Sequence, residues 1–160
     1  LGLKVEYNII GGGNLESELK NLSEKLSISS FTNFEGIKSR NEILYYLEKS
    51  DIFLIHSVTG LKGDMEGTPT VILEAGLSMK PVVSTYHAGI PEIIKHNESG
   101  FLTDEGDIDT MVKYLVELAT NLKLREKFGR NLKNYIQKEY SEKINHERFV
   151  KKYSKYIFQK

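Results

Sequence analysis

Hydrophobic positions along the chain change period repeatedly, and the changes divide it into alternating strands and helices. Val5 to Ile10 predicts a strand, closed by Gly11, Gly12 and Gly13. The leucines that follow, at 15, 19, 22 and 26, share one helical face, with Asn14 placed to cap that helix. Phe31 to Phe34 predicts a second strand. Ser39 and Glu42 then form a capping box ahead of Ile43, Leu44 and Leu47, which face inward. Ile52 to Ile55 is short and wholly apolar, as a buried parallel strand should be. Thr68 and Pro69 open a helix that runs to about Met79, with Val71, Ile72, Ala75 and Met79 as its buried stripe. Pro81 to Thr85 is a fourth strand, a short helix starts near Pro91, and Phe101 and Leu102 make a fifth strand. From Asp107 the pattern is helical to the end, broken near Gly129 and capped afresh at Ser141.

Strands alternating with helices over short connections specify an α/β fold, a Rossmann-like doubly wound parallel sheet with helices on both faces. No internal repeat or linker interrupts residues 1–160, so the expectation is one domain. In such sheets ligands bind beyond the carboxyl ends of the strands. Composition narrows the partners. Twenty-two basic residues balance 22 acidic ones, which leaves no field to draw in nucleic acid. The absence of cysteine removes disulfides, thiolate metal sites and a cysteine nucleophile, and fits a cytoplasmic protein. No apolar run approaches the ~20 residues a membrane helix needs. The first residue is Leu1 and a strand begins at once, which reads as a piece of a longer protein.

The segment from His56 to Pro69 is the most unusual, a long polar loop at a strand's carboxyl end with glycines at 60, 63 and 67. Proline at the first helical position would sacrifice only an orphaned N–H, leaving those of Thr70 and Val71 pointing outward. With the helix dipole behind them they offer an anion site suited to phosphate. Glu66 and Glu74 flank that helix start, and Thr70 and Glu74 share a face. Carboxylates beside a diphosphate site make sense as acceptors for the paired hydroxyls of a sugar and a ribose. The plainer roles stand beside these: dipole complementation for a glutamate near a helix start, turn formation for Ser57 and Thr59. Gly11-Gly12-Gly13 lacks the spacing of a dinucleotide fingerprint and reads as a strand-to-helix turn. Gly36-Ile37-Lys38-Ser39 lacks the preceding glycine of a phosphate loop. The histidines at 56, 87, 96 and 146 have no zinc spacing, although His56 and His87 fall at strand ends, where they would border a cleft.

Glu66, seven intervening residues, Glu74, then Ala75-Gly76, Pro81-Val82-Val83 and Gly89-Ile90-Pro91-Glu92 resemble the C-terminal domain of the retaining glycosyltransferase family four. The resemblance runs from Gly11-Gly12-Gly13 through Phe34-Glu35-Gly36 to Leu124-Arg125-Glu126-Lys127-Phe128-Gly129. Ser57-Val58-Thr59 with Gly63-Asp64-Met65-Glu66-Gly67-Thr68-Pro69 looks like the colanic-acid and exopolysaccharide transferases among them. That resemblance implies the C-terminal half of a GT-B fold, which binds a nucleotide-diphosphate sugar, UDP-linked, in a cleft. It implies Glu66 on the donor sugar's hydroxyls as the catalytic residue, and Glu74 on the ribose. Gly67, Thr68, Pro69 and Thr70 would line the diphosphate and sugar, and Ile37 the nucleobase.

By the same resemblance the reaction is a metal-independent hexosyl transfer with no cofactor, onto a lipid-linked or oligosaccharide acceptor. The product would be capsule, exopolysaccharide or lipopolysaccharide. The family's Arg and Lys on the diphosphate, its first strand and helix, and the N-terminal acceptor domain are expected outside this sequence, so the piece alone is expected to be inactive. The usual Gly-Gly ahead of Pro91-Glu92 is His87-Ala88-Gly89 here. A lysine-bearing amphipathic helix from about Glu142 carries Ile144, Phe149, Val150, Tyr153 and Ile157. It would pack on the N-terminal domain or lie on the inner face of the cytoplasmic membrane. The rival readings are a non-catalytic α/β nucleotide-binding module and a nucleotide-sugar epimerase of the same architecture.

Overall fold

The computed structural model describes residues 2–60, 67 and 69–157. Among them five strands and seven α-helices alternate as the sequence pattern requires, and the strand pairs are all parallel. They divide into two compact units, residues 1–49 and 50–160. The strands accordingly form two hydrogen-bonded sheets, one in each unit.

In the first unit β1 (Tyr7–Ile10) pairs with β2 (Thr32–Gly36). Helix α1 (Glu16–Lys25) connects them, and a 3-10 turn, Ser29–Phe31, leads into β2. Asn14 does not cap α1. Leu15 holds the N-cap position, and the Glu16 N–H is already bonded to Gly13 O at 3.2 Å, so the helix begins a residue beyond asparagine's reach. The leucine stripe lies towards solvent: Leu15, Leu19, Leu22 and Leu26 are 42 to 58% exposed. Among the described residues of this unit only Ser23 and Leu47 are buried. Helix α2 (Arg40–Lys49) has the expected box: Ser39 N–H and Oγ donate to Glu42 Oε2 at 2.8 and 2.6 Å.

The second unit holds β3 (Phe53–Leu54), β4 (Val82–Thr85) and β5 (Gly100–Thr103) in that spatial order. Helices α3 (Thr70–Leu77), α4 (Ile90–Ile93), α5 (Ile108–Thr120), α6 (Leu122–Glu139) and α7 (Glu142–Ile157) complete it. Its centre is Val83, Phe101, Leu118 and Phe128, all at 1% exposure or less, with Ile52, Leu54, Met111, Tyr114, Leu115 and Leu124 against them. Phe101 stacks on Tyr114 with centroids 4.2 Å apart and meets Phe128 edge-on at 5.1 Å. Asp107 caps α5 through Thr110 N–H, and Asn121 caps α6 through Leu124 N–H, which is how α6 starts two residues after α5 ends.

Two expectations fail for one reason. Helix α6 runs unbroken through Gly129. A Cβ there would fall 1.9 Å from the Met79 carbonyl oxygen, so this glycine is a docking point where backbones touch rather than a helix breaker. Met79 itself has φ +57 and is 43% exposed, so it ends α3 instead of lining its buried stripe. Gly76 takes that place beside Ile72 and Ala75, with Leu132 and Ile136 filling the space a side chain would need. No helix among the described residues is long and apolar enough to cross a membrane.

Candidate functional site

Parallel strands bring their carboxyl ends to one edge, and the residues that could carry chemistry lie there in each unit. In the first unit Gly11 to Gly13 turn β1 into α1, with Gly11 at φ +132 and its N–H bonded to Gly36 O at 2.9 Å. Ile37 follows β2 and is 86% exposed. A Cβ on Gly12 would lie 3.3 Å from Ile37 Cγ1, so the bare glycine backbone and this isoleucine face each other across the edge of the sheet. Beside them Tyr46 donates to Glu35 Oε2, and Lys38 Nζ stands 3.3 Å from the same oxygen. The Tyr46 hydrogen bond, seconded by Lys38, holds the Glu35 carboxyl below the ordinary glutamate range. In return the carboxylate pushes the Tyr46 phenol up to about 12.

In the second unit the decisive element is the start of α3. Pro69 is buried and extended, at φ −61 and ψ 121, so it is the N-cap and not the first helical residue as expected. Its carbonyl takes the Ile72 N–H at 3.1 Å, the first bond of the turn. The Thr70 and Val71 amides precede that bond, at the positive end of the helix. Thr70 is exposed and Glu74, one turn on, is half-buried, while Ile72, Ala75 and Gly76 turn the opposite way into the core. Gly67 is exposed ahead of them. Glu66 and Thr68 lie outside the described residues.

The neighbouring strand ends hold a network that sequence reasoning half missed. Glu105, just past β5, accepts the Thr59 N–H at 2.8 Å and the Thr59 hydroxyl at 3.2 Å. Its Oε1 also stands 2.6 Å from His87 Nδ1, just past β4. These bonds, the Thr59 amide first and His87 next, hold the Glu105 carboxyl below its ordinary value. His87 is 2% exposed, whereas His56 faces solvent. Thr85 Oγ1 donates to Ser57 O at 2.6 Å and Tyr86 N–H to Thr103 O at 2.8 Å, so all three strand ends are tied together. The turn after His87 puts Ala88 at φ +43, a left-handed conformation that costs an L-residue about 1–2 kcal/mol. His87 was legible as a strand-end histidine. Glu105 was not, because 46 residues separate it from Thr59 and no local pattern joins them.

The family model for "Glycosyl transferases group 1" matches residues 2–135. The chain belongs to that family. It is 44% identical over 114 residues to the amylovoran biosynthesis glycosyltransferase AmsK of Erwinia amylovora, an alignment of 71% of this chain and 28% of that protein. It is 39% identical over 114 residues to the putative colanic acid biosynthesis glycosyltransferase WcaL of Escherichia coli, again 71% of this chain and 28% of the relative. The chain thus spans less than a third of these curated relatives. Among solved structures it resembles the C-terminal domain of a group 1 glycosyltransferase, LpcC, from Francisella tularensis. The TM-score is 0.68 at 25% identity, over 81% of this chain and 64% of that one. Anabaena HepE, solved with UDP-glucose, matches at TM-score 0.79 and 20% identity over 94% of this chain and 41% of its own. These neighbours are GT-B glycosyltransferases, and the parallel α/β fold of the chain is theirs.

Proposed function

We propose that this chain is the nucleotide-sugar-binding part of a retaining, metal-independent hexosyltransferase. It takes a hexosyl unit from a UDP-linked donor for a lipid-linked saccharide in exopolysaccharide or capsule synthesis. The observation that carries this reading is the start of α3: two leading amides behind a proline N-cap, with Thr70 and Glu74 on one face, inside a family match of residues 2–135. Amides at a helix N-terminus suit a diphosphate. Glu74 accepts the ribose hydroxyls, and Glu66 accepts those of the sugar and acts at the reacting carbon. Gly67, Thr68, Pro69 and Thr70 line the diphosphate, and Ile37, exposed after β2, offers an apolar surface to the base. The biosynthetic relatives AmsK and WcaL support the polysaccharide product, and the UDP-glucose complex of HepE supports the uridine donor. As a catalyst on lipid-linked acceptors, the complete enzyme works at the inner face of the cytoplasmic membrane.

Saturation-transfer NMR on the chain with UDP, GDP and ADP tests the donor reading. Transfer to the ribose and base protons of UDP, weakened by Glu74→Ala, is the expected result. That substitution costs about 1.5–3 kcal/mol, the worth of one charge-assisted contact. Glu66→Ala leaves UDP affinity in place and lowers affinity for the UDP-sugar. Equal losses of UDP and UDP-sugar affinity in both variants would contradict the assignment of the two carboxylates.

A further inference from the structure

His87 has an oriented ring and an unused nitrogen. Its Nδ1 lies 2.6 Å from Glu105 Oε1, and Glu105 is itself fixed by the Thr59 amide and hydroxyl. A carboxylate can only accept, so Nδ1 carries the proton, and in the Nδ1–H tautomer Nε2 is left as an acceptor lone pair. That Nε2 is buried and has no hydrogen-bond partner. A buried acceptor without a donor is costly, and native proteins keep such groups where something else completes them. The Thr103 hydroxyl, on the last residue of β5, is also buried and unpartnered. Thr103 is in register with Thr85, so two orphaned polar atoms sit at the carboxyl ends of neighbouring parallel strands, where ligands of this fold class bind.

We propose that His87, oriented by Glu105, is a saccharide-contacting residue whose Nε2 accepts a hydrogen bond from a sugar hydroxyl. The inference rests on the donor-site reading above and adds a specificity-determining group to it. The ligand class follows from polarity. An acceptor nitrogen needs an O–H donor, which a sugar supplies and an ionised diphosphate does not. Glu105 is a positioning residue: it sets the tautomer and ring orientation and, through Thr59, holds the exit of β3 in place.

The test is imidazole 15N–1H correlation NMR on the 160-residue chain, with UDP, UDP-glucose and glucose as probes. His87 is expected as the Nδ1–H tautomer, with its Nε2 resonance moved by UDP-glucose and unmoved by UDP. His87→Phe keeps a buried ring without the acceptor, and should weaken UDP-glucose about tenfold while changing UDP less than twofold. Glu105→Gln retains an acceptor for Thr59 but releases the tautomer, and should lose a similar part of the sugar-dependent affinity. Together these variants separate sugar contact from a folding defect, because UDP binding reports the intact site. A shift with glucose but not with UDP-glucose would overturn the donor-sugar contact and move His87 to the acceptor side. Wild-type affinity of His87→Phe for UDP-glucose, with UDP still bound, would overturn the assignment of His87 alone. Failure of the wild-type chain to bind UDP would overturn the reading of these residues as a donor site in their own right, and this inference with it.

Discussion

The two units spend their leucines differently. In the second, Leu118 is 0% exposed at the centre of a cluster with Val83, Phe101 and Phe128, and Leu132 fills the space beside Gly76. In the first, four leucines on one face of α1 stand in the open and, among its described residues, the buried ones reduce to Ser23 and Leu47. Both patterns read identically along the chain, as apolar residues every three or four positions. Periodicity therefore identifies the face a helix offers, and says nothing about whether a partner covers it. Stability follows the covering, because only area removed from water contributes.

The sharpest way to break this contrast is to delete one leucine from each unit. Leu118→Ala should cost about 3–5 kcal/mol, the transfer term plus the cavity left in a packed core. Leu22→Ala, at 48% exposure, should cost under about 0.5 kcal/mol. Urea unfolding followed by aromatic signals of each unit would measure both. Comparable losses would mean that the leucine face of α1 is covered in solution.

Gly129→Ala comes next, at about 3 kcal/mol, since the added methyl would overlap the Met79 carbonyl at 1.9 Å and backbone cannot step aside as a side chain can. The shift should appear in thermal unfolding of the second unit while the amide exchange of β1 and β2 stays as it is. Movement of both would show that the units unfold as one.

What the sequence made legible follows the range of the interaction. Strands β3 and β4 were readable because apolar β-branched runs leave few other options, and the Ser39–Glu42 box because both partners lie within one turn. Asn14 and Pro69 were each misplaced by one position. A helix end depends on which carbonyl takes the first amide, here Gly13 and Pro69, and composition does not record that. Gly129 was read as a breaker from its propensity, whereas a tertiary approach decided its role. Of the candidate site, Thr70 and Glu74 are singled out by their spacing at the helix start, and Ile37 by the family resemblance alone. The Thr59–Glu105–His87 network was out of reach because its members meet only when three parallel strands end side by side.

A smaller effect is expected at Ala88, where φ is +43. Ala88→Gly relieves left-handed strain of about 1–2 kcal/mol and costs about 0.4–1 kcal/mol of extra unfolded-chain entropy. A net gain of about 0.5–1 kcal/mol in thermal stability is expected, confined to the second unit. A loss would mean that the Cβ of Ala88 contributes more in contacts than the turn costs in strain.

The least effect, and the one that compares the units most directly, is acid titration of their helix caps. Glu42 in the first unit is held below its ordinary 4.5 by the hydroxyl and amide of Ser39. Asp107 in the second is held below its ordinary 3.8 by Thr110. A carboxyl whose folded value is lowered contributes stability above its unfolded value and loses it as pH falls through the folded one. Both caps are therefore intact at neutral pH and lose their contribution as pH falls below the ordinary carboxyl values of 4.5 and 3.8 towards the lowered folded ones. Helix α2 keeps one buried side chain, Leu47, whereas α5 is anchored by Leu118 in the main cluster. Amide exchange followed through that range should thus show α2 fraying once Glu42 is protonated, with α5 protected past the protonation of Asp107. Simultaneous fraying would mean that the caps, and not the buried leucines, set the local stability of both helices.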